Sequence, residues 1–133
     1  MRKIRWGWIL VAGILAEAVA VAFLVGLRWM HGYAAASAAP LSAVAAVAFE
    51  VELFVGTAVA GWWVARKATA SPVLNGALVG VTTVLVYEIL AFGQPVPHGW
   101  SYFFLHGLKV AGGVTGGCIA AWHARAPASA PVS

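Results

Sequence analysis

Aspartate is absent from this 133-residue chain, and charged residues of all kinds make up only 9% of it. Soluble domains carry about a quarter charged residues, so a water-exposed globular domain is excluded before any motif is considered. Cys118 is the only cysteine, which rules out an intrachain disulfide and leaves no cysteine cluster for zinc. Lying among glycines, it reads as a packing residue. The Glu-x-x-His spacing of di-iron bundles is also missing. No metal, other cofactor or enzymatic activity is expected.

What remains is 62% hydrophobic, with a mean hydropathy of +0.90. Four apolar runs, at about 6–27, 41–64, 73–93 and 102–123, are each long enough to cross a hydrocarbon core of roughly 30 Å as a helix. The expectation is an all-α membrane protein, a single four-transmembrane-helix bundle over residues 1–123, with a flexible Ala/Pro/Ser tail at 124–133. All six prolines, Pro40, Pro72, Pro95, Pro97, Pro127 and Pro131, fall outside the runs. Proline breaks helix interiors, so their positions agree with these boundaries. The tryptophans, at 6, 8, 29, 62, 63, 100 and 122, all sit at run ends, where indole partitions among headgroups. The basic start and Ala18–Ala20 resemble a signal peptide with its cleavage site, but the apolar run is longer than a typical h-region, and retention as a spanning helix is expected.

Lysine and arginine are retained on the cytoplasmic side. Arg2, Lys3, Arg5, Arg66, Lys67 and Arg125 share one side of this arrangement, against Arg28 alone on the other. An N-in, C-in topology follows. The pI of about 9.7 then reflects topology and contact with anionic membrane lipid, with no nucleic-acid partner implied.

All four glutamates, Glu17, Glu50, Glu52 and Glu88, lie within the runs. Counted at about 1.5 Å per residue from the ends opposite the basic side, Glu17, Glu50 and Glu52 lie roughly 13–16 Å deep, as a midplane level. Glu88, Lys109 and His106 lie roughly 6–10 Å deep, as a second polar level. Each ionised, unpaired residue at a helix centre costs about 2.5–3.5 kcal/mol. Pairing or neutralisation is required. Glu88 and Lys109, on consecutive helices at similar depth, are expected to pair, with His106 beside them. The other carboxyls must be protonated, hydrated, cation-bound or paired with another chain. Hydrogen-bonded packing between helices is the plainer role for such groups, whereas three carboxyls at one depth favour proton or cation binding at Glu17, Glu52 and Glu50.

Residues two apart diverge by about 200° around a helix, so Glu50 and Glu52 face different neighbours. At least one should reach a lateral seam or another subunit, in a homo-oligomer or a larger membrane complex. The glycine pairs Gly76/Gly80, Gly112/Gly116 and Gly113/Gly117 match the small-xxx-small pattern of close helix packing.

The segment "AGILAE", Ala12 to Glu17, resembles the first helix of the small multidrug resistance transporters, four-helix proteins of similar length. The resemblance implies that Glu17 is a shared proton and cationic-substrate site. The opening "KIRWGWILVAGILAE" also resembles small bacterial membrane proteins, which implies a bacterial inner membrane. Two functions follow as expectations: a proton- or cation-coupled carrier, and a non-catalytic accessory subunit of a larger complex.

Overall fold

In the computed structural model, residues 4–32, 40–68, 70–94 and 99–125 are described. They form four helices: α1 (Trp6–Met30), α2 (Ala43–Ala65), α3 (Pro72–Leu90) and α4 (Trp100–Arg125). Each is long and apolar enough to span a membrane. The chain is a small multi-pass membrane protein with an all-α four-helix fold.

The boundaries differ from the sequence expectation for local reasons. Pro72 is the first residue of α3, a position where the missing N–H costs nothing because no helical acceptor precedes it. The third helix stops at Leu90, before Gly93 turns the chain with a positive φ of 79°. The first extends to Met30, with Arg28 in its last turn, where a cation meets the negative end of the helix dipole. Ala124 and Arg125 belong to α4; the rest of the expected tail, together with Arg2, Lys3, Pro95, Pro97 and His98, lies outside the described residues.

α2 and α3 touch each other and both flank α1 on one side and α4 on the other, so α1 and α4 occupy the long diagonal without backbone contact among the described residues. Glycine sets these distances. Gly112 lies against Phe54 and Thr57 of α2, and Gly116 against Ala58 and Trp62. Gly113 and Gly117, one position round the helix, lie against α3 at Gly76, Gly80 and Val73. The "GGVTGG" segment thus packs two neighbours backbone to backbone, gaining dispersion contacts where lipid offers no hydrophobic drive for association. The outward faces carry Ile14, Leu15, Val19, Val51, Val55, Val59 and Ile89, all exposed on the bundle surface. Such an apolar exterior suits lipid and not water.

At the end bearing Arg5, Arg66 and Lys67, here the basic end, Asn75 is fully buried. Its Oδ1 accepts from the Arg5 backbone N–H at 3.2 Å, and its Nδ2 donates to the carbonyls of Ala70 and Ser71. One side chain therefore ties the start of α1 to the start of α3 and satisfies groups that would be orphaned at a helix end. Beside it Lys67 lies over the rings of Trp8 and Trp63, at 3.9 and 4.1 Å.

Candidate functional site

Toward the opposite end, all four helices contribute to a cavity of about 160 Å³. Glu17 enters it from α1 because Gly13, one turn earlier, packs onto Thr82 and Thr83 of α3 and brings the helices close. Lys109 enters from α4. Its ammonium stands 2.7 Å from Glu17 Oε2, and both residues are only 3% exposed. The pair spans the diagonal between two helices whose backbones do not meet.

The expected Glu88–Lys109 pair is therefore replaced by Glu17–Lys109. The register of α3 on α4 is the physical reason. Gly80 packs on the backbone of Lys109 and Val110, while Glu88 lies two turns further along α3, roughly 12 Å away along the axis. There Glu88 meets the first turns of α4: the Tyr102 hydroxyl donates to Glu88 Oε1, and His106 Nε2 lies 3.2 Å from the same oxygen. A lysine stem leans toward the start of its own helix, which lifts the ammonium from the Gly80 level to the ring of Tyr87, 4.7 Å from its centroid. The two polar levels expected from depth alone are thus merged, since Glu17, Lys109 and His106 all line one cavity.

Glu52 is half-buried on the α2 face toward α1. Its carboxylate lies over Gly56, in the space a side chain there would fill. Oε2 is buried without a hydrogen-bond partner among the described residues, and the charges acting on the carboxyl are those of Glu17 and Lys109. Glu50 is partly buried and makes no hydrogen bond or ion pair among the described residues. The four glutamates occupy distinct settings: one paired with lysine, one bound by tyrosine and histidine, and two without direct polar partners among the described residues.

Tyr87 and Tyr102 were not singled out by sequence reasoning, yet both line the cavity and pack against His106, with centroid distances of 5.0 and 4.3 Å. The glycines held the signal. Laying Gly76/Gly80 antiparallel on Gly113/Gly117 places Glu88 close to the level of Tyr102, two turns from Lys109. Asn75, the only asparagine, was legible by its rarity within an apolar run.

The resident cation at Glu17 is Lys109, so a cationic substrate would have to displace a tethered ammonium. This separates the site from the role implied by the "AGILAE" resemblance, in which one membrane-embedded glutamate receives protons and cations. Comparison with protein-family models, with curated proteins and with solved structures gives no match to this chain.

Proposed function

We propose that this protein is a small proton-coupled carrier, without enzymatic activity, in which the Glu17–Lys109 pair is the coupling element. The buried pair beside a cavity carries the reading. As an ion pair it is neutral overall. Adding one proton to Glu17 leaves a lone ammonium in a low-dielectric interior, which is strongly unfavourable unless another charge arrives or the helices rearrange. Protonation and solute binding are then obligatorily linked at one place. Glu52, whose field already includes both members of the pair, is the alternative partner for Lys109 during such a step. In the same reading the basic end faces the cytoplasm of a bacterial inner membrane, giving N-in, C-in, and proton coupling is preferred over coupling to metal or organic cations.

The test is reconstitution with a pH-sensitive dye inside the vesicles. Wild-type protein should move protons when members of a panel of small organic acids and organic cations are added. Glu17→Gln should abolish this movement while the helix content remains. A wild type without solute-linked proton flux overturns the carrier reading. The unpartnered Glu50 and the orphaned oxygen of Glu52 favour a second reading, an accessory subunit whose lateral carboxylates meet another membrane chain. Native-mass analysis after gentle extraction distinguishes a lone chain, a homo-oligomer and a hetero-complex. Loss of a co-extracted chain in a Glu50→Gln/Glu52→Gln variant would support the subunit.

A further inference from the structure

The cavity's unused hydrogen-bonding groups have a definite pattern. Lys109 gives one N–H to Glu17 Oε2, and its other two find no acceptor among the described residues. The Tyr87 hydroxyl has no hydrogen-bond partner among the described residues. Both nitrogens of His106 are buried without a directed hydrogen bond, Nε2 having only the 3.2 Å approach to Glu88. Tyr102 is committed to Glu88. On the acceptor side, Glu17 Oε1 is uncommitted among the described residues. The remaining walls are apolar, including Val21, Leu24, Phe49, Leu53 and Leu105. A complementary guest therefore has a small hydrocarbon body and a head that offers one proton and receives several.

We propose that the cavity takes up a small undissociated carboxylic acid, which gives its proton to Glu17 and leaves its carboxylate on Lys109. This names the substrate class for the carrier reading and rests on that reading for its purpose. In the step, the acid's O–H bond breaks and an O–H bond forms at Glu17 Oε1. The electron pair of the broken bond stays on the guest, whose carboxylate replaces that of Glu17 against the ammonium. Charge in the cavity is unchanged, so no isolated ion is created at any point. Tyr87 lines the same cavity, and the proposal assigns its hydroxyl the hydrogen bond to the second carboxylate oxygen. The polar and charged groups around Glu17 are Lys109 and His106 from α4 and Tyr87 from α3, which share its cavity, and Glu52 from α2, on which its charge acts.

Benzoate is a suitable probe, measured by equilibrium binding of radiolabelled compound to the full chain in nanodiscs between pH 5 and pH 8. Since one proton enters with each anion, affinity expressed per total benzoate should fall about tenfold per pH unit in the wild type. Glu17→Gln already holds a neutral side chain beside Lys109, so it should bind the anion alone, with a flat pH profile. Lys109→Met should weaken binding by at least about tenfold. Benzamide and methyl benzoate, which lack the transferable proton, should compete poorly. Where a pair variant fails to fold, the wild-type slope and a several-fold loss in Tyr87→Phe remain as tests. A flat wild-type profile, an unchanged slope in Glu17→Gln or equal competition by benzamide overturns the proposal. Proton-coupled binding without flux would sink the carrier reading and leave this inference standing; solute-linked proton flux without benzoate binding would do the reverse.

Discussion

A charged lysine buried in a membrane helix needs a counter-charge, and Lys109 finds it in Glu17. Removing one partner leaves the other charged, dehydrated and alone, at a cost of about 3–5 kcal/mol, whereas removing both leaves an apolar contact of similar volume. Lys109→Met should therefore lower the thermal midpoint of the detergent-solubilised protein markedly, and Lys109→Met/Glu17→Leu should recover most of the loss. A double variant as unstable as the single would show that the ion pair itself holds α1 to α4. Glu88 behaves differently because Tyr102 and His106 surround it at a site where its side chain is 41% exposed. Tyr102→Phe removes a hydrogen bond to a charged group, worth about 1.5–3 kcal/mol when buried and less here. A small shift in the same melting assay is expected.

At the scale of elements, the glycines decide which helices meet and at what height. A Cβ on Gly116 would sit 2.6 Å from the backbone nitrogen of Trp62 and closer still to the Ala58 carbonyl. Backbone cannot rotate aside, so Gly116→Ala should force α2 and α4 apart, at about 1–3 kcal/mol of overpacking. Gly107 lies on the same helix with nothing within 4 Å of its absent side chain. Gly107→Ala should instead stabilise the protein by up to about 1 kcal/mol through helix propensity. Opposite signs in a single melting series are the expected result. The same contrast explains how much was readable beforehand. Hydropathy and proline placed four helices to within a few residues, because span length and backbone hydrogen bonding leave few choices in lipid. The partner of Lys109 was not legible from depth, since depth along a helix is one coordinate and pairing depends on register and on which diagonal the helices adopt. Short connection between α3 and α4 suggested Glu88; the backbone contact of Gly80 with Lys109 excluded it. The divergence of Glu50 and Glu52 was legible because it follows from helix pitch alone, but the absence of a polar partner for either needed the packed bundle.

For the whole molecule, the side of the membrane nearer the cavity follows from the orientation in the membrane. Arg5, Arg66, Lys67 and Arg125 gather at one end, and Lys67 lies there over two indole rings. That end should be retained in the cytoplasm, so the Glu17–Lys109 cavity, nearer the other end, should lie closer to the outer surface. Cys118, expected to pack among the glycines, is instead exposed on the bundle and is replaced by alanine before any labelling. A cysteine is then placed at Ala70, in the α2–α3 turn at the basic end, or at Gln94, exposed beyond α3 at the far end. In intact cells an impermeant maleimide should modify the Gln94→Cys protein and spare Ala70→Cys until the membrane is permeabilised. The reverse pattern would turn the molecule over and place the cavity nearer the cytoplasmic side. A proton delivered to Glu17 would then come from the cell interior, and an inwardly directed proton gradient would oppose loading of the site instead of driving it.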